Sequence, residues 1–99
     1  MKSVSVKYSG NLESKLPNEV YERFKADGFH PDWVKIVYSP ETQVEIVDYY
    51  FVSQPNRTPN REQVEKALEG ITVMDFRIRK IHDVERMIMG ILVGGLEPA

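Results

Sequence analysis

The sequence predicts an α+β fold of the ferredoxin-like, split βαβ type: a four-stranded antiparallel sheet with two helices on one face. Two observations lead to this prediction. Four segments alternate β-branched or aromatic residues with polar ones, and two segments with helical spacing lie between them in the order β-α-β-β-α-β. Each predicted helix also begins beside a Pro-Asn pair and ends at a glycine, Gly28 or Gly70.

Composition indicates one small globular domain. The chain has 99 residues, of which 41% are apolar and 28% charged, which is typical of a folded soluble protein. We expect residues 1–83 to form the domain and residues 84–99 to form an apolar C-terminal appendage with a frayed tail. The net charge of −2 argues against avid, nonspecific binding of duplex nucleic acid. The absence of cysteine excludes disulfides, thiolate catalysis and cysteine-based metal sites.

The expected location is the cytoplasm. The first ten residues lack the apolar core of a secretory signal. The most apolar run, Met87–Val93, is too short to cross a bilayer. We therefore expect no membrane association.

Three elements are predicted in the first half of the chain. Ser3–Tyr8 alternates with a period of two and is a predicted strand. Pro17–Asp27 is a predicted helix, because a proline fits the first helical turn and Gly28 follows the end. Trp33–Ser39 is the second predicted strand. The residues expected to face the helices or the core are Val4, Val6, Tyr8, Val20, Tyr21, Phe24, Val34, Ile36 and Tyr38.

The second half repeats this pattern. A turn over Pro40–Gln43 leads to the longest predicted strand, Val44–Gln54, and a helix is predicted from about Asn60 to Glu69. The fourth strand is predicted over Thr72–Ile81, with Met74, Phe76 and Ile78 on its core side. Val84–Val93 fits a short helix by spacing and a fifth strand by composition, and we leave both open.

The third predicted strand is apolar on both faces, which favours a central position in the sheet. We assign Val44, Ile46, Tyr50 and Val52 to the helix side and Val47, Tyr49 and Phe51 to the open side. Asp48 interrupts the helix-side set. A β-bulge at Asp48, or pairing of its carboxylate with a nearby cation, would explain this position.

Aromatic and basic residues are expected to share the open sheet face. The predicted surface consists of Lys7, Trp33, Lys35, Tyr49, Phe51, Arg77 and Arg79. Aromatic rings flanked by cations suit single-stranded nucleic acid, because bases stack on rings and phosphates meet the charges. The same surface, if apolar enough, suits a protein interface.

The chain resembles the RNA-recognition motif over residues 7–81. Lys7–Leu12 (KYSGNL) is similar to the first-strand hexamer of that family, and Val47–Gln54 (VDYYFVSQ) is similar to its third-strand octamer. The helical segments LPNEVYERFKADG and EQVEKALEGI resemble its two helices. The resemblance implies base stacking on Tyr8 of the hexamer and on Tyr49 and Phe51 of the octamer. Val47-Asp48 stands where the octamer has a basic residue and glycine.

These observations predict a non-enzymatic interaction or regulatory module that binds a protein partner or itself. Its surface would be the open sheet face together with an apolar tail interface of Met87, Ile88, Ile91 and Leu92. The alternative is a single-stranded RNA binder with phosphates held by Lys7, Lys35, Arg77 and Arg79. A small-molecule-binding regulator or enzyme of the same shape is a third class. No residue pattern indicates a catalytic group, a metal or a cofactor, and we expect none.

Overall fold

A computed structural model describes residues 2–10, 15–54 and 56–80 as an α+β fold. The predicted four-stranded sheet with two helices is confirmed. The predicted tail at 84–99, including Met87, Ile88, Ile91 and Leu92, lies outside the described residues. The elements are β1 (Lys2–Ser9), α1 (Leu16–Ala26), β2 (Trp33–Ser39), β3 (Val44–Phe51), α2 (Arg61–Ala67) and β4 (Asp75–Lys80).

The sheet has the order β2-β3-β1-β4, and every neighbouring pair is antiparallel. Strands β1 and β3 are therefore central, and β2 and β4 are the edges. Pairing between the central strands runs without interruption from Lys2 opposite Phe51 to Ser9 opposite Val44. This arrangement is compatible with the predicted ferredoxin-like order.

The end of α1 depends on a glycine. Gly28 has φ +87°, in the left-handed region that glycine adopts without steric cost. Arg57 closes over this position and donates from Nε to the Gly28 carbonyl oxygen at 2.9 Å. A side-chain carbon built at Gly28 would lie 2.6 Å from Nη2 of Arg57. The backbone angle therefore favours glycine, and a side chain at this position would also displace the end of the flexible Arg57 side chain.

Helix α2 is short, and side chains form hydrogen bonds with its backbone groups at both ends. Asn60 and Gln63 form a reciprocal capping box, in which the side chain of each accepts a bond from the backbone N–H of the other at 2.9 and 2.8 Å. At the other end, Nη1 of Arg23 on α1 donates to the carbonyl oxygens of Ala67 at 3.0 Å and Glu69 at 2.6 Å. Arg23 thus joins the two helices by bonding carbonyls that the end of α2 leaves unpaired.

The core lies between the two helices and one face of the central strands. Phe24 of α1 meets Tyr49 edge-on, with ring centroids 5.3 Å apart, and meets Phe51 likewise at 5.8 Å. The Tyr49 hydroxyl donates to the Pro17 carbonyl oxygen at 2.8 Å. The residues of this core cluster are Val4, Val6, Tyr8, Val20, Phe24, Phe29, Val47, Tyr49, Phe51, Val64, Ala67 and Leu68.

The predicted facing of β3 is wrong. Tyr49 and Phe51, predicted to lie on the open face, are 0% and 1% exposed and lie under α1. Asp48, predicted to lie on the helix side, is on the open face opposite Ser5 and Lys35. The pairing of β3 with β1 is unbroken, so a bulge at Asp48 is also excluded.

The physical reason is the packing of Tyr49 and Phe51 against Phe24 of α1, which brings both rings to the helix side. Each face of the strand carries one carboxylate, Glu45 on one and Asp48 on the other. A carboxylate at the middle of the strand, beneath the helices, would lose its hydration without a compensating partner. The observed facing buries Glu45, which is 1% exposed, so the carboxylates alone do not select the face.

This facing predicts opposite outcomes for adjacent substitutions on β3. Val47→Asp places a carboxylate in the core, and we expect it to lower the free energy of unfolding by more than about 3 kcal/mol. Ile46→Asp, one position earlier on the open face, should lower it by about 1 kcal/mol, as expected for reduced strand propensity. Urea unfolding followed by circular dichroism measures both. Equal losses, or a larger loss for Ile46→Asp, would contradict the facing.

Candidate interaction surface

The open face is the side of the sheet that faces away from the helices. Its side chains form three rows across the four strands, because directly paired residues share a face. One row runs Trp33, Tyr50, Ser3 and Arg79; the next runs Lys35, Asp48, Ser5 and Arg77; the third runs Val37, Ile46, Lys7 and Asp75.

Four predicted site residues come together on this face. Lys7, Lys35, Arg77 and Arg79 line one depression of about 430 Å³. Asp48 and Asp75 line it as well, and the Asp75 carboxylate lies 3.6 Å from Nε of Arg77. The depression therefore carries both signs of charge. Trp33 lies on the same face at its edge, 38% exposed, whereas Tyr49 and Phe51 belong to the core.

Exposed apolar side chains concentrate on the edge strand β2. Trp33, Val34, Ile36 and Val37 are each more than a third exposed, and Ile36 reaches 50%. Ile46 of β3 lies directly opposite Val37 on the open face and is 37% exposed. We name this set the β2 patch: Trp33, Val34, Ile36, Val37 and Ile46. Val34 and Ile36 lie on the helix side of the strand, whereas Trp33, Val37 and Ile46 lie on the open side, so the β2 patch exposes apolar side chains on both faces of this edge strand. Exposed apolar surface concentrated in this way marks interaction sites.

Sequence reasoning missed part of the β2 patch. Val34 and Ile36 were expected to be covered by the helices, and Ile46 was assigned to the wrong face. The signal that could have found them is that Trp33–Ser39 is apolar on both faces although the predicted strand order places it at an edge. An edge strand has a neighbour on one side only, so its side chains receive less cover.

Asp32 fixes the chain where it enters this surface. Its carboxylate accepts bonds from the backbone N–H of Val52 at 2.6 Å, the N–H of Ser53 at 2.8 Å and the Ser53 hydroxyl at 2.6 Å. Partial burial opposes ionisation of Asp32, but the bonds from Ser53 and Val52 outweigh it and lower the pKa of this carboxyl. The beginning of β2 is thereby tied to the end of β3.

An unusual polar pair lies on the opposite, helix-covered face. Tyr8 and Glu45 are directly paired across β1 and β3 and are 0% and 1% exposed. The Tyr8 hydroxyl and Oε1 of Glu45 have no hydrogen-bond partner among the described residues. Burial raises the pKa of Tyr8 to about 12, and it also raises the pKa of the Glu45 carboxyl.

Neither a metal cluster nor a membrane span is found in the described part of the chain. Within residues 2–10, 15–54 and 56–80, no three His, Asp or Glu side chains converge as metal ligands would. Over the same residues, no helix has the length and apolarity needed to cross a bilayer.

No protein-family model matches this sequence, and no curated protein matches it significantly. The resemblance to the RNA-recognition motif therefore stays an expectation from the sequence.

The buried Glu45 predicts a characteristic dependence of stability on pH. Because its pKa is raised in the folded protein, the folded state holds this proton more tightly than the unfolded state. Its contribution to stability is thus fully present below the usual carboxyl pKa and is lost as pH rises through the folded pKa. Glu45→Gln removes this loss. We expect the stability of Glu45→Gln relative to the native chain to increase between pH 4 and pH 8 in urea unfolding.

Asp32→Asn is the matched control, because the pKa of Asp32 is lowered rather than raised. Its contribution to stability is present at neutral pH and is lost as pH falls through the folded pKa. The two variants should therefore diverge from the native chain in opposite directions with pH. A difference between Glu45→Gln and the native chain that does not change with pH would contradict the assignment.

Proposed function

We propose that this chain is a small, non-enzymatic interaction module that binds a protein through the β2 patch and the adjoining open face. The observation that carries the proposal is the concentration of exposed apolar side chains on the edge strand β2, where four of seven residues are large, apolar and exposed, two on each face. The apolar residues Met87, Ile88, Ile91 and Leu92 are proposed to add to this interface. We also propose a cytoplasmic location and the ferredoxin-like class, which the strand order supports.

The composition of the β2 patch supports a protein partner. Interfaces are enriched in aromatic residues and depleted of charge at their centre. The patch contains Trp33 and aliphatic residues, and the charged Lys35 has Asp48 directly opposite it within the sheet. The mixed charges of the depression form a polar border to this apolar area.

The test compares two equally drastic surface changes in the full chain. Val37→Glu places a charge in the β2 patch, and we expect it to abolish association with partners, extra copies of the chain included. Met74→Glu is the control, because Met74 is 55% exposed and lies outside the patch. The measurement is quantitative co-purification with an affinity-tagged chain from its native cells, scored against an untagged sample. Identical recovery with both variants would refute the proposal.

Substitution of the tail extends this test. Ile88→Ser combined with Ile91→Ser, in the full-length chain, removes apolar surface from the proposed tail interface. Recovery should fall if these residues contribute, and unchanged recovery would remove the tail from the proposal while leaving the β2 patch in it.

Single-stranded RNA binding is the second candidate, and one observation favours it. Lys7, Lys35, Arg77 and Arg79 line the same depression, so four cations face the space that phosphates would enter. Its proposed stacking residues are not available, because Tyr49 and Phe51 pack on Phe24. RNA binding through this face would therefore rest mainly on charge, with Trp33, 38% exposed at the edge of the face, as a ring on which one base could stack.

This limits the form that RNA binding can take. A labelled single-stranded oligonucleotide should bind with little sequence preference, and the logarithm of its binding constant should fall with the logarithm of salt by about 0.7 per contacted phosphate. Arg77→Ala with Arg79→Ala should weaken binding and flatten this slope. Lys25→Ala with Lys66→Ala, on the helices, is the control. Binding that ignores both salt and the arginine change would refute this candidate.

A further inference from the structure

We propose that the outer edge of β2 binds a second copy of this chain, whose own β2 pairs with it in antiparallel fashion. Two four-stranded sheets would then join into one sheet of eight strands about a two-fold axis perpendicular to the sheet. This inference rests on the proposed protein-binding function and specifies its partner.

The two edges of the sheet are built differently. Four of the six residues of β4 are charged, namely Asp75, Arg77, Arg79 and Lys80. Charged side chains on an edge strand oppose pairing with another chain. β2 carries one charge, Lys35, among seven residues, and it contains neither proline nor glycine. Among the described residues, no strand pairs with its outer edge. β2 thus lacks the protection that β4 has.

The sequence of β2 allows one antiparallel register with itself that uses the whole strand. Paired residues must share a face, so the two-fold axis has to pass through a residue position. An axis at Lys35 would set two like charges directly opposite each other. An axis at Val37 would bring Val34 opposite Pro40, which has no N–H to donate. An axis at Ile36 pairs all seven residues, with Trp33 opposite Ser39 of the second copy.

This register is complementary in its side chains. On the helix side, Ile36 meets Ile36 of the second copy, and each Val34 meets a Tyr38. Pairs of aromatic and β-branched residues of this kind stabilise neighbouring strands. On the open side, each Lys35 meets a Val37. The two lysines are diagonal neighbours, and each has Asp48 of its own chain directly across the sheet. The contact would bury Val34, Ile36 and Val37, which the single chain leaves exposed.

Self-complementarity is what favours a second copy over an unrelated peptide. An extended peptide could also add to a free edge, but nothing in β2 specifies its sequence. A second β2 offers a matching apolar pattern, an unprotected edge and a register without opposed charges, all fixed by the same seven residues.

The chain contains no cysteine, so a single introduced cysteine reports the register directly. Residues paired across antiparallel strands have Cα atoms about 4.5–5.5 Å apart, which suits a disulfide. Ile36→Cys in the full chain should therefore form a disulfide-linked dimer on mild oxidation. Val34→Cys should not, because its counterpart lies four positions, about 13 Å, along the second strand. Mixing Val34→Cys with Tyr38→Cys should restore cross-linking.

Met74→Cys is the control for disulfides formed by random collision, since Met74 is more exposed than Ile36 but lies outside β2. In parallel, light scattering should give a native mass of twice the 11.5 kDa chain, and Ile36→Glu should reduce it to that of one chain. Because Ile36 is half exposed, the Ile36→Glu variant should keep the native fold, and circular dichroism checks this. Cross-linking of Ile36→Cys no faster than that of Met74→Cys, or equal to that of Val34→Cys, would overturn the inference.

Different experimental results would refute this inference and the proposed function. A chain that stays at 11.5 kDa at every concentration, yet loses its co-purified partners on Val37→Glu, refutes the second copy and keeps the interaction module. A dimer whose mass is unaffected by Ile36→Glu also refutes pairing through β2. A dimer that Ile36→Glu dissociates, with Ile36→Cys cross-linked, supports it.

Discussion

The packing of Phe24 against Tyr49 and Phe51 determines which side of the sheet is the core. Successive side chains of a strand point to opposite faces, so burying these two rings under α1 also buries Val47 and sends Ile46 and Asp48 to the other side. β3 is central and pairs with both β1 and β2, so its facing sets the registers of its neighbours. The surface available to partners is therefore what remains after this packing.

The sequence was sufficient for strands whose two faces differ in polarity. β1 alternates Val4, Val6 and Tyr8 with serine and lysine, and only one arrangement removes its apolar residues from water. β3 has apolar residues and one carboxylate on each face, so counting apolar residues could not separate the two arrangements. The difference lies in the fit of two rings, Tyr49 and Phe51, to Phe24 of α1. Ring fit depends on tertiary contacts that a sequence pattern does not contain.

The same distinction explains which residues of the candidate surface could be predicted from the sequence. The cations Lys7, Lys35, Arg77 and Arg79 were placed together from the sequence, because they lie on strands with clear alternation or on a face that the helices cannot cover. The prediction for Tyr49 and Phe51 was wrong because the predicted facing of β3 was wrong. The apolar β2 patch emerged in its place, since exposure of Val34 and Ile36 follows from their position at the edge of the sheet rather than from their type.

The bonds from Arg23 to the end of α2 have a consequence for how the domain opens and closes. α2 spans seven residues, too few for a helix to persist in water on its own. Its last carbonyls are bonded by a side chain that α1 supplies. α2 can therefore form fully only once α1 is in place, whereas α1 does not draw on α2 in the same way. We therefore expect the amide hydrogens of α2 to exchange earlier than those of the central strands and of α1.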